Sequence, residues 1–287
     1  MLKGLDMIVF DMQDIGVRYY TYLSTLTYVL ESAAEYGIPV LVLDRVNPLG
    51  REVEGPMLAE ELKSFVGMHP IPIRHGMTLG ELAMMINGED WLANGIQADL
   101  TIISYNGTDD GKMRENALNP APSPNMRDLE TAWLYQGLCL LEGTNLSEGR
   151  VTDLPFKLFG APWLDANKLL QELQDINKSN NEFKVIHFTP QSTAAAKYPK
   201  YEGEECQGIQ IIHLENPLEW TIQMLQTVKK LNPEEFKFLE SNFIDKLYGS
   251  DKLRLSIQRE GEVMLLFEQF KLDREAFLIK RKDYLIY

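Results

Sequence analysis

Residues 22–44 read YLSTLTYVLESAAEYGIPVLVLD, and this stretch decides the fold class. Its first fifteen residues place apolar side chains at helical spacing, and Gly37 stands where a helix closes in the left-handed conformation. IPVLVLD (38–44) then reads as a buried strand ending in an acid. The preceding DMIVF is a short apolar run ending at Asp11. Strand, loop, helix and strand in that order form the unit from which parallel α/β sheets are built. Working outward, a second helix is predicted over 78–87, with Thr78 and Glu81 in capping-box spacing. A third strand is predicted over 99–104, DLTIIS, followed by a long Pro/Asn/Asp/Gly-rich loop at 105–128.

After Trp163 the pattern changes. A helix at 165–176, a polar linker, strands at 185–190 and 208–214, a helix at 217–231 and a shorter one after Pro233 are predicted. The tail from LRLSIQ to DYLIY reads as helix mixed with short strands. The expected architecture is α/β, a Rossmann-like mainly parallel sheet, with a smaller α+β C-terminal domain. The boundary is expected near 165, giving 1–165 as catalytic domain and 166–287 as auxiliary domain. A doubly wound sheet usually begins earlier than this one, so its first units are expected to be missing.

The 287 residues are 45% hydrophobic and 24% charged, with a formal net charge of -14. Nucleic-acid binders carry a basic face, so that class is disfavoured, although local arginines can still hold an anionic small ligand. No apolar run approaches the roughly 20 residues of a bilayer span. The start shows no signal-peptide pattern. Cys139 reads as a buried thiol, and a Cys139–Cys206 disulfide is left open. No Cys/His cluster suggests zinc and no glycine-rich nucleotide loop follows a strand, so neither metal nor cofactor is expected.

Ligands of open α/β sheets sit beyond the carboxyl ends of the strands. DMQDIGVRYYTY (11–22), DRVNPLGREVEGP (44–56) and the segment 104–126 should therefore gather on one rim. The first offers Asp11, Asp14, Arg18, Tyr19, Tyr20 and Tyr22, the carboxylates and rings of a sugar cleft. A plainer reading pairs Asp14 with Arg18 and packs the tyrosines. Asp44–Arg45 reads as a loop staple, whereas Glu54 before Gly55-Pro56 has no evident structural task. His75 stands just before a helix N-terminus, a place that suits acid/base or hydrogen-bonding work. His69, His187 and His213 carry no functional expectation.

EGTNLSEGR (142–150) sets Glu142 and Glu148 six residues apart in an irregular, glycine-broken loop. Two facing carboxylates are the kit of glycoside hydrolysis, one protonating the leaving oxygen and the other attacking or activating water. The plainer alternative has Glu142 capping a turn and Glu148 paired with Arg150.

DMQDIGVRYYTY, LDRVNPLGREVEGP, SFVGMHPIPIRHGMTLGELA, PSPNM, EGTNLSEGR and GAPW occur here in the order found in the DUF1343 proteins, the NamZ-type exo-β-N-acetylmuramidases. The chain resembles that family from about residue 4 to the closing RKDYLIY. The resemblance implies release of terminal β-1,4-linked N-acetylmuramic acid from the non-reducing end of peptidoglycan-derived muropeptides or disaccharides. It implies a Rossmann-like catalytic domain, a smaller C-terminal domain, a cleft between them, and an extracytoplasmic setting. A muramic substrate bears a lactyl carboxylate, for which Arg18, Arg74 and Arg150 are the candidate cations. Glu142 and Glu148, with Asp14 and His75, are the catalytic candidates. Arg18, Tyr20, Glu54, Arg74, Asn125, Asn145 and Arg150 are the substrate-binding candidates.

Several features depart from the family pattern. Relatives begin with roughly a further hundred residues that include a PEHG motif, whose glutamate is a leading candidate acid. DRVNP stands for DRPNP, SEGRVTDLPFK for SEGRGTDLPFE, and the loop 106–121 lacks the usual tryptophans. The alternative function is therefore a catalytically impaired or inactive muropeptide-binding homologue. Oligomeric state is not legible.

Overall fold

The computed structural model describes residues 2–105, 114, 116–150, 152–176, 180–192, 197–261 and 263–287. The chain folds into two compact units, Met1–Pro122 with Phe270–Tyr287, and Ser123–Gln269.

The first unit holds β1 (Ile8–Phe10), α1 (Tyr22–Tyr36), β2 (Val40–Leu43), α2 (Leu79–Gly88) and β3 (Leu100–Ile103). The strands lie in the order β1-β2-β3, all parallel, with Ile8, Val40 and Leu100 in register. This is the parallel α/β sheet that the 22–44 stretch predicted. The period of two sends Phe10, Val40 and Val42 into a core with Leu23, Leu26 and Leu30 of α1 and Leu82, Ala83 and Ile86 of α2. On the other face Val9 and Ile103 are exposed. Helix α1 stops at Gly37, whose positive φ of 64° turns its N–H back onto the carbonyls of Ala33 and Ala34.

Helix α2 starts with the predicted capping box. Glu81 N–H donates to Thr78 Oγ1 at 3.2 Å, and Thr78 N–H donates to Glu81 Oε2 at 2.9 Å. Asp44, at the end of β2, accepts from Thr78 Oγ1 at 2.6 Å and from Gly80 N–H at 2.8 Å. A Cβ on Gly80 would lie 2.6 Å from the Asp44 carboxyl carbon, so this first turn admits only glycine. Burial pushes the Asp44 carboxyl above its ordinary range, while the Thr78 and Gly80 donors oppose the rise. Thr78→Ala removes both a cap and a donor to a buried acid, so it should destabilise the chain by about 1–2 kcal/mol in chemical denaturation.

The second unit holds α3 (Leu129–Leu138), β4 (Leu158–Ala161), α4 (Ala166–Ile176), β5 (Glu182–Phe188), β6 (Cys206–His213), α5 (Pro217–Leu231), α6 (Phe243–Tyr248) and α7 (Lys252–Gln258). Its antiparallel sheet runs β4-β6-β5. Strand β4, the GAPW region, had no counterpart among the predicted elements. It pairs with β6, and Ser147 pairs with Gly160, so EGTNLSEGR belongs with the C-terminal sheet. For that reason the compact units part at Pro122/Ser123 rather than near 165. Gly160 and Gly208 make the pairing close, since a Cβ on Gly208 would fall 2.0 Å from the Phe159 carbonyl oxygen.

One further expectation is met and one changes. The shorter helix foreseen after Pro233 is α6, which begins at Phe243. Among its described residues the tail forms helices, α7, α8 (Met264–Lys280) and a 3-10 turn at Arg281–Tyr284, and no strand. LRLSIQ alternates like a strand, but Leu253 and Ile257 are the buried positions, and their spacing of four is helical. Cys139 and Cys206 are free, buried thiols. No helix among the described residues is long and apolar enough to cross a membrane.

Candidate active site

The segments following the three parallel strands do converge. A cavity of about 670 Å³ is lined by Asp11 and Gln13 after β1, Asp44, Arg45 and Val46 after β2, and Tyr105, Asn116 and Asn119 after β3. Arg45 Nε donates to Asp11 Oδ1 at 2.7 Å, with both side chains close to half exposed. Tyr105 stacks on Tyr287 at 4.1 Å and donates its N–H to the Tyr287 hydroxyl at 3.0 Å.

The residues expected to act here lie mostly behind the rim. Asp14 Oδ2 accepts from Gly16 N–H at 2.7 Å and stands 3.5 Å from His75 Nε2. His75 Nδ1 accepts from Met77 N–H at 3.3 Å, which leaves the ring proton on Nε2, facing Asp14. The pair is therefore Asp14–His75, and both side chains are buried. Arg18 is 1% exposed and donates from Nη1 to the carbonyls of Pro56 and Ile71 at 2.8 and 2.6 Å. Arg74 donates to the Leu49 carbonyl at 2.5 Å and meets Glu52 at 3.2 Å, while its backbone pairs with that of Glu54. Tyr20 is buried against Tyr22, with rings 4.8 Å apart. Arg18 and Arg74 thus hold main chain, because the loops between β2 and α2 fold over them. Among the described residues the cation that lines the cavity is Arg45, and its position directly after β2 was the available signal.

In the second unit, a 3-10 turn at Cys139–Gly143 follows α3 and delivers Glu142. Glu142 Oε1 meets Arg150 Nη2 at 3.0 Å, and Glu148 Oε2 accepts from Lys200 Nζ at 2.9 Å. Glu148 is therefore not the partner of Arg150: Gly149, at φ 71°, reverses the chain between them. The Arg150 guanidinium also lies 5.6 Å from the Phe156 ring centre. Burial raises the Glu142 carboxyl, Arg150 and Lys200 oppose the rise, and the charge of Glu148 adds to it. Two acids thus share one loop, each with its own cation, and one of them holds its proton unusually well.

Asn145 serves the loop itself. Its Oδ1 accepts from Lys237 N–H at 2.9 Å and its Nδ2 donates to the Glu235 carbonyl at 2.8 Å. Asn125 is half-buried in a turn closed by Met126 N–H onto the Ser123 carbonyl at 3.0 Å. Lys200 had no signal in the sequence, since 52 residues separate it from Glu148.

Residues 1–130 match the N-terminal region of the exo-β-N-acetylmuramidase NamZ family, and residues 133–287 match its C-terminal region. The chain belongs to the NamZ family. It is 38% identical over 294 residues to the peptidoglycan β-N-acetylmuramidase NamZ of Bacillus subtilis (strain 168), covering all of this chain and 69% of that protein. Crystal structures of two DUF1343 proteins from Bacteroides fragilis NCTC 9343 share the fold over the whole chain and 76% of each. Their TM-scores are 0.81 and 0.86, at 36% and 28% identity.

Two departures from the NamZ sequence pattern can now be placed. Val46, in DRVNP, is buried and its carbonyl accepts from Gln13 at 3.1 Å, so it helps shape the cavity wall. Lys157, in LPFK, meets Asp128 at 3.0 Å and also pairs with Glu130, at the start of α3. Its charge is thereby matched at the helix N-terminus, and the loop 142–150 keeps Arg150 and Lys200 as its own cations.

Proposed function

We propose that this chain is an exo-acting glycoside hydrolase that releases terminal β-1,4-linked N-acetylmuramic acid from peptidoglycan fragments. Glu142 is the proton donor and Glu148 the second carboxylate. The observation that carries this reading is the arrangement of the two acids: in a NamZ-family chain, Glu142, paired with Arg150 and pushed above the ordinary carboxyl range by burial, shares one loop with Glu148, which is held separately by Lys200. A general acid needs its proton at working pH, and separating the behaviour of two nearby carboxyls is how glycosidases divide the roles. Protonation of the glycosidic oxygen by Glu142 lets the bond to the anomeric carbon break. Glu148 then supplies the carboxylate that attacks that carbon or activates water.

The lactyl carboxylate calls for a cation. Of the three arginines expected for it, Arg150 is the exposed one, at 43% of its side chain. A substrate carboxylate on Arg150 would draw that cation from Glu142 and so reinforce the proton on the acid. An extracytoplasmic setting and a part in wall recycling belong to the same proposal, and fractionation of the producing cell tests them.

Incubation with a chromogenic β-N-acetylmuramide tests the activity. Release of the chromophore with free N-acetylmuramic acid is expected, with little release from the β-N-acetylglucosaminide that lacks the lactyl group. The second reading, a muropeptide-binding homologue, is favoured by the fact that both acids already hold cations. Calorimetric binding without product on long incubation would select it.

A further inference from the structure

The segment Tyr198–Tyr201 carries two tyrosines in the left-handed backbone region, at φ 59° and 58°. Bulky residues seldom adopt that conformation, and surrounding contacts must hold them there. Tyr198 N–H donates to Ser192 Oγ at 3.2 Å, whereas the side chains of Lys200 and Tyr201 both reach the 141–148 loop. Lys200 Nζ donates to the carbonyls of Leu141 and Leu146, both at 2.8 Å, and to Glu148 Oε2 at 2.9 Å. These take up all three N–H groups of the ammonium. Tyr201 donates its hydroxyl to the Asn145 carbonyl at 2.7 Å and accepts from Trp163 Nε1 at 2.9 Å. The main chain of the 141–148 loop is thus gripped at 141, 145 and 146, and one of its acids is gripped as well.

We propose that Lys200 is a positioning residue for the muramidase reaction, fixing Glu148 and the loop that carries Glu142, with Tyr201 as its neighbour in the same brace. The inference rests on the reading of Glu142 and Glu148 as the acid pair. A staple for main chain alone would need donors but no charge beside an acid. Here the ammonium reaches Glu148 directly and its field also reaches Glu142, which faces Arg150, Glu148, Lys200 and the Cys139 thiol. Lys200, with Arg150, holds Glu142 down, so its loss lets Glu142 keep its proton to higher pH.

The test compares Lys200→Met, Lys200→Gln, Lys200→Arg and Tyr201→Phe, each checked for folding by circular dichroism. Lys200→Met should lower kcat on the chromogenic β-muramide on the order of tenfold to a hundredfold, the cost of a misplaced group, with KM changed less. The alkaline limb of its kcat–pH profile should move to higher pH. Lys200→Arg keeps the charge and should leave the limb in place with kcat partly restored. Tyr201→Phe should lower kcat without moving the limb. Lys200→Gln retains donors for the carbonyls, lacks the charge, and takes the place of Lys200→Met if that variant does not fold. Wild-type kcat with an unmoved limb in the folded, uncharged variant would overturn the proposal, as would an equal shift in Tyr201→Phe. Should Glu142→Gln and Glu148→Gln also retain full turnover, the fault lies with the acid-pair reading. Their loss of activity beside a normal Lys200→Met condemns the brace alone.

Discussion

Glu142→Gln should turn over a chromogenic β-N-acetylmuramide on the order of 10² to 10⁴ times more slowly than the unaltered chain, with KM changed far less. The amide keeps the shape of the side chain and removes only its transferable proton. Glu142 meets Arg150 at 3.0 Å on a loop held by many other contacts, so the substitution should not unfold the protein. A change below threefold would sink the assignment. The pH dependence supplies a second readout. Burial raises the Glu142 carboxyl, so its protonated, active form persists to higher pH than an ordinary carboxyl would allow. Activity should fall as pH rises through that pKa. Arg150→Met removes the foremost opposing cation and should carry the falling limb further towards alkaline pH.

What was legible in the sequence was local. Helix α1 begins at Tyr22 and ends at Tyr36 as its periodicity and Gly37 foretell, and α5 runs Pro217–Leu231 from its proline onward. The capping box at Thr78 and Glu81 needs only three residues' spacing to be recognised. The rim beyond the parallel strands was legible too, because topology alone sends those segments to one side. Partners set by distant chain were not. Arg18 looked like a ligand for a carboxylate, yet it holds carbonyls 38 and 53 residues away. The plainer alternative paired Glu148 with Arg150, but a reversal at Gly149 and a lysine 52 residues on decide otherwise. Strand β4 escaped notice because LFGA carries a glycine and shows no alternation; all four of its residues are buried. The loop 106–121, expected to be poor in aromatic platform, lies in good part outside the described residues, and Tyr105 stacked on Tyr287 is the aromatic element seen at that cavity.

Gly143→Ala should damage stability and turnover together. The glycine sits between Glu142 and Thr144, and a Cβ there would lie 2.5 Å from both the Ile244 nitrogen and its Cβ, and 2.6 Å from its Cα. Those are atoms of the first turn of α6 and include backbone, so the clash cannot be relieved by a rotamer change. The loop is also tied to this region by Leu239 N–H on the Gly143 carbonyl at 3.0 Å and by the Thr144–Phe238 bridge. A methyl group must therefore push the 3-10 turn away from α6 or break these bonds. Overpacking of this kind costs about 1–3 kcal/mol, which should show as a lower denaturant midpoint with the slope unchanged. The same displacement moves Glu142 relative to Glu148, which Lys200 holds from the other side. A shift near 1 Å at a reacting group lowers turnover on the order of a hundredfold. Gly249→Ala is the fitting control, because Gly249, at φ 97° after α6, is strained by any side chain but lies outside the 142–150 loop. It should lose stability and retain kcat. If Gly143→Ala likewise loses stability alone, the packing of the turn on α6 does not set the geometry of the acid pair.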